Sequence, residues 1–370
     1  MSEVTAEPLD LASVSAPAFD LSRLPGPRVM RTGAVLAIIL GLAAATGVMG
    51  AVGLADIARA TRAIGVRGLA ALVIWTPGPL LLLAAAWFLF GGAGPGPRPG
   101  FSVFVWARLI RDASGELLPF SHVGGFFIGA RAAILRGLAP RAAFATSVAD
   151  VSAELLAQLV FTGAALAWLA QRLGAGAQSL VSSALLGLVG GAVAVGLFML
   201  LQGKGGRMVD RLAGQLFPAL AKRSPGLGAA VQDLYSHPWR VMGATALHLA
   251  AWVASALGCW AALRTAGIRV EPEDILALEA VVAAARSALV VAPMGIGVQE
   301  ATYAFAGPLL GVSPDLALAL SLVKRARDLA VGIPALAAWQ AMEGARALQR
   351  PRPGMFRGPS APKPSPEATR

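Results

Sequence analysis

At 370 residues, 56% hydrophobic and only 14% charged, the chain lacks the charge to wet one or two soluble domains, which normally carry about a quarter charged residues. Its net charge of +11 is scattered between apolar runs, so no nucleic-acid partner is expected; Lys and Arg placed this way mark cytoplasmic loops of a membrane protein. The one cysteine, Cys259, allows no internal disulfide and reads as a small buried hydrophobe. His122, His237 and His248 share no ligand spacing, so neither a metal nor a cofactor is expected.

Residues 1–30 form a polar, Pro-containing tail. Arg23, Arg28 and Arg31 precede a first apolar run too long for a cleaved signal, which reads as a retained helix. Thr32 to Gly53, Gly68 to Pro97 and Gln178 to Gly203 carry no charge, and roughly 18 apolar residues suffice to cross the ~30 Å hydrocarbon layer. The alternation of an outer-membrane barrel is absent. Spanning helices are predicted near 32–54, 69–91, 143–170, 179–201, 241–264 and 315–341.

Two apolar stretches, 101–130 and 274–311, are interrupted. Pro119, Gly124 and Gly125 break the first; Pro293, Gly295 and Gly297 break the second. Proline removes a helix hydrogen bond and glycine loosens the backbone, so both stretches read as hairpins that turn inside the membrane. With a cytoplasmic N-terminus, the positive-inside bias has them enter from opposite faces. Arg111 before the first break and Arg286 before the second suggest an inverted repeat around a midplane site. A basic linker (204–240) and both termini then lie in the cytoplasm of a bacterial cell, in its inner membrane. Arg59, Arg62 and Arg67 are the exception, falling outside, possible residents of a short interfacial helix. The tail 346–370 is basic, Pro-rich and expected to be disordered.

Ionisable residues inside apolar helices cost about 2.5–3.5 kcal/mol each, so their presence needs a reason. Asp150, Glu154 and Gln158 share one helix face. They line a lipid or ion path, or else pair structurally with Arg131, Arg136 or another helix. Lys324, Arg325, Arg327 and Asp328 sit mid-run, far from an interface. They cradle an anionic headgroup, or else form a network with Glu279 and Glu300, unless the helix boundary lies elsewhere. Gln299 and Glu300 follow the second break, where a helix starting at Val298 favours an anion, either as a site or as a simple first-turn cap. Ser121 and His122 lie in the first break. No base-and-nucleophile set assembles, and no phosphate-binding loop is present.

The run Leu117-Leu118-Pro119-Phe120-Ser121-His122-Val123-Gly124-Gly125, with Ile128-Gly129-Ala130-Arg131, resembles the first signature of a hopanoid-associated membrane-protein family. That family lies within the flippase-like proteins related to the membrane domain of lysylphosphatidylglycerol synthases. Ala292 to Glu300 resembles its second signature, Ser321 to Leu329 a third, and Ser147 to Leu159 is also similar. The chain departs from the pattern at His122, where Gln is expected, and at Phe126, where an acid is expected. The resemblance spans about residues 30–345 and implies a lipid-related role beside hopanoid synthesis.

The expected protein is therefore all-α and polytopic, with about six spanning helices and two broken hairpins, its membrane domain at 31–345. It is read as a lipid transporter acting on a hopanoid or an anionic phospholipid. The substrate residues are Arg131, Asp150, Glu154, Arg286, Gln299, Glu300, Lys324, Arg325 and Arg327, with Pro119, Gly124, Gly125, Pro293, Gly295 and Gly297 opening the helices. The alternatives are a membrane-embedded enzyme modifying a lipid headgroup, with Asp150 or Glu154 as acid or base, and a scaffold for hopanoid enzymes.

Overall fold

The computed structural model describes residues 46–91, 99–118, 121–173, 227–289 and 295–348, plus positions 39, 43, 182, 186–187, 189–193 and 196; the side chains of 121–123 are outside this set. Pro119, Pro293, residues 1–30 and 349–370, residues 204–226 of the linker, about half of the predicted helix at 32–54 and most of that at 179–201 lie outside the described residues. Described residues with regular structure are helical, as an all-α membrane protein requires.

The helices are α1 (Leu54–Trp75), α2 (Pro77–Phe90), α3 (Phe101–Leu117), α4 (Ser121–Leu135), α5 (Pro140–Leu173), α6 (Leu227–Tyr235), α7 (Pro238–Thr265), α8 (Pro272–Ala288), α9 (Val298–Leu309) and α10 (Pro314–Leu348). Among the described residues, three helical stretches are long and apolar enough to cross a membrane: Leu54–Phe90, Pro140–Gln171 and Pro238–Thr265. They contain the predicted spans at 69–91, 143–170 and 241–264. The fourth long helix, α10, has 35 residues but carries charge along its middle and a proline, Pro334, inside it.

Local rules set the ends. Proline opens α2, α5, α7, α8 and α10, where its missing N–H costs nothing and its fixed φ suits a first turn. Left-handed glycines close α4, α7 and α9: Gly137 at φ 98°, Gly267 at φ 80° and Gly311 at φ 76°. At each, the amide one residue on reaches back to a carbonyl five residues earlier, as in Leu138 N to Ala133 O at 3.2 Å, which caps the last turn.

The second half repeats the first. A 17-residue helix (α3, α8), a break, a shorter returning helix (α4, α9), a Gly-x-x-Pro turn (Gly137 to Pro140, Gly311 to Pro314) and a long helix (α5, 34 residues; α10, 35 residues) follow in the same order. A short helix precedes the spanning helix of each half. In the first it is the part of α1 before Gly65, a residue with non-helical φ 55° and ψ −163°; in the second it is α6. The C-terminal part of the basic linker is thus a packed helix, with Leu227, Val231 and Leu234 buried against α5 and α7.

The halves interlock. The long helix of each packs on the first hairpin helix of the other: α5 on α8, α10 on α3. At ~1.5 Å per residue, α10 is about 52 Å long and passes both hairpins. Its first half shares a core with α8 and α9 (Leu278, Tyr303, Leu320). Its second half joins α3 and α4 through Ala335, Leu336 and Trp339. Between them, Glu116 near the tip of the first hairpin pairs with Arg286 near the tip of the second at 2.7 Å. The hairpins therefore approach from opposite ends and meet tip to tip, as an inverted repeat demands.

Candidate functional site

Two charge clusters flank the meeting tips. In the first, Arg108, Arg111 and Asp112 share a face of α3 and meet Asp150 and Glu154 from α5. Arg111 bonds Asp150 Oδ2 at 2.7 Å and Glu154 Oε2 at 2.6 Å. Arg108 reaches Glu154 Oε1 at 2.9 Å, Asp112 at 2.8 Å and Asp150 at 3.4 Å. From α7, His248 donates its Nε2–H to the other oxygen of Asp150 at 2.9 Å. Asp150 and His248 are fully buried. Gln158, one turn beyond Glu154, turns instead to α8, donating to Ser287 Oγ at 2.7 Å and to the Ala283 carbonyl at 3.1 Å.

The second cluster draws on α8, α9 and α10. Lys324 donates to Glu279 and, at 2.9 Å, to the Tyr303 hydroxyl, which itself donates to Glu279. Gly297, at φ 83°, ends the break so that α9 starts at Val298. Glu300 Oε2 accepts the Gly297 N–H at 2.8 Å, while its Oε1 takes Arg325 Nε at 2.6 Å. Glu300 is thus both a helix cap and a charge partner, which joins the two readings that its position suggested. Gln299 links Arg286 (3.3 Å) to Ser321 (2.8 Å), and Arg327 pairs with Asp328 at 2.9 Å.

By position the clusters are counterparts with signs exchanged. Arg108 and Glu279 are each the eighth residue of their hairpin helix; Asp150 and Lys324 are each the eleventh of their long helix. The first half thus places a cation on α3 against anions on α5, and the second an anion on α8 against a cation on α10. The equivalence of Arg111 and Arg286 suggested by spacing does not hold in three dimensions. Arg111 joins α5, whereas Arg286 binds the tip of the opposite hairpin.

Among the residues expected to form the site, Asp150 and Glu154 fall in the first cluster, and Arg286, Gln299, Glu300, Lys324, Arg325 and Arg327 in or beside the second. Arg131 is elsewhere, paired with Glu343 of α10 at 2.8 Å; Arg136 stacks on Trp106, 4.8 Å from the ring centre. Gly295 (φ 59°) and Gly297 do interrupt a helix, but Gly124 and Gly125 lie within α4. A Cβ on Gly125 would come 2.8 Å from the Arg111 carbonyl, and one on Gly129 2.6 Å from Arg111 Cβ, so these glycines let α3 and α4 touch rather than part. Arg108, Glu116, Tyr303 and His248 were missed. The first two had a readable signal, charge at helical spacing inside an apolar stretch; His248 and Tyr303 had none.

The ligand atoms of Asp150, Glu154 and His248 lie within 4.8 Å of one another, close enough to bind a metal. Both carboxylates, however, already accept from two guanidinium groups, which a cation would have to displace, so the set fits an ion-pair network better. Cys259 is buried in the core.

The model of the lysylphosphatidylglycerol synthase TM region matches residues 35–335. The chain belongs to this family. No curated protein and no solved structure matches it. The match covers both hairpins and both charge clusters, and establishes a membrane protein of this flippase-like family.

Proposed function

We propose that this family member is a lipid transporter of the bacterial inner membrane, with both termini cytoplasmic, that moves a polar headgroup between leaflets past the meeting hairpin tips. The observation that carries this reading is the Glu116–Arg286 pair at the tips, set between two buried clusters of opposite arrangement. Buried ion pairs are costly to hold and costly to strip of one partner, so a headgroup crosses by exchange. The phosphate of an anionic phospholipid takes the place of Glu116 on Arg286 or of Glu300 on Arg325, and no cation is left bare. The signatures at Leu117–Arg131, Ala292–Glu300 and Ser321–Leu329 favour a hopanoid or an anionic phospholipid as the cargo. An enzyme would need Asp150 or Glu154 free to take a proton, and both are held by Arg108 and Arg111.

The test is reconstitution into liposomes with a labelled lipid. Headgroup movement above that of empty vesicles, reduced at least tenfold by Arg286→Gln, supports transport; folded protein that moves no lipid overturns it.

A further inference from the structure

Arg59, Arg62 and Arg67 break the positive-inside pattern, and the structure separates them. Arg59 is paired with Asp56 one turn away. Arg62 and Arg67 are exposed and line a cavity of about 420 Å³ together with Gly65, Thr265 and Gly267. In an unbroken helix, residues five apart point about 140° away from each other at 3.6 residues per turn and could not share a cavity. Gly65 lies between them with φ 55° and ψ −163°, close to a region open essentially to glycine alone. A Cβ there would meet nothing within 4 Å, so packing does not require the glycine; the bend does. The far wall is the end of α7. There the amides of Ala266, Gly267 and Ile268 occupy the carbonyls of Ala262, Arg264 and Leu263, which blunts the negative end of that helix.

We infer that the α1 bend and the α7–α8 turn form a surface site for the phosphodiester headgroup of an anionic lipid, clamped between Arg62 and Arg67. Guanidinium groups present paired donors to phosphate oxygens, and the exposed apolar side chain of Val66 lines the site between them, which suits a lipid more than a free anion. The site lies on the outer surface, apart from the buried clusters, and its occupancy does not depend on translocation.

Phenylglyoxal modification of the full-length protein in nanodiscs, read arginine by arginine by mass spectrometry, tests this. Phosphatidylglycerol added to phosphatidylcholine discs slows Arg62 and Arg67 relative to Arg269, exposed just beyond the same turn, by about fivefold, the protection of a site about four-fifths occupied. Arg62→Gln, a change at an exposed position, removes the protection of Arg67. Gly65→Ala removes it as well, by turning the two side chains apart. Equal slowing of all three arginines would mean surface potential alone and would overturn the site. Equal protection by inorganic phosphate in phosphatidylcholine discs would overturn the lipid assignment. Because the readout is binding, failure here leaves the liposome result standing, and the reverse.

Discussion

The first hairpin is drawn shut by glycines that stay inside a helix; the second is held apart by glycines that leave one. In α4, Gly125 and Gly129 bring the backbone of α3 within reach and leave no room for a side chain. Between α8 and α9, Gly295 and Gly297 take positive φ, and Glu300 caps the helix that restarts. The charges follow the same contrast. Around the first hairpin, two arginines, three carboxylates and a histidine lock together across three helices. Around the second, the pairs are looser: Lys324 with Glu279 and Tyr303, Arg325 with Glu300, Arg327 with its own neighbour Asp328. One half locks its charges into a network with shared partners, and the other holds its cations in separate pairs.

The sharpest way to break that contrast is to remove the central acid of each cluster's network or its counterpart. Asp150→Ala removes an acceptor shared by Arg108, Arg111 and His248, leaving the arginines only Glu154 and Asp112, and should cost about 3–5 kcal/mol, seen as loss of folded protein or a large drop in Tm in detergent. Lys324→Met should cost less, because it breaks one pair rather than removing an acceptor shared by three groups, and Tyr303 still donates to Glu279; equal losses would erase the distinction between shared network and separate pairs. Next in size is Gly125→Val. Its Cβ meets backbone that cannot step aside, so about 1–3 kcal/mol of overpacking is expected, read by thermal unfolding. Smallest is Gly297→Ala, about 1–2 kcal/mol for forcing a side chain into the left-handed region; a greater loss than for Gly125→Val would place the tightest constraint in the second hairpin instead.

Much of this architecture was legible beforehand. Apolar runs locate three of the predicted spanning helices, Gly295 and Gly297 locate the second break, and the restart at Val298 with Glu300 three residues into the turn follows from capping alone. The face shared by Asp150 and Glu154 was equally clear. What that face meets was not: helical periodicity tells which side chains point together, never which helix stands opposite. Arg131 and Arg136 were the expected partners, yet the partners came from Arg108 and Arg111, some forty residues earlier, on the first helix of the same half. The sign exchange between halves hid which residues of the expected repeat correspond. A residue-by-residue comparison seeks likeness, and Arg108 opposite Glu279 offers none. Paired glycines also have two uses, opening a helix or admitting a neighbour, and only the neighbour decides between them.

Pro334 in α10 has one more consequence. It has no N–H to offer the carbonyl of Ala330 and crowds the turn before it, two residues past Gly332, where Leu117 of the first hairpin abuts. A helix that serves as a common rail for both halves is thereby jointed near the level where they meet. The rail thus lacks one hydrogen bond between the stretch that touches the second hairpin and the stretch that touches the first.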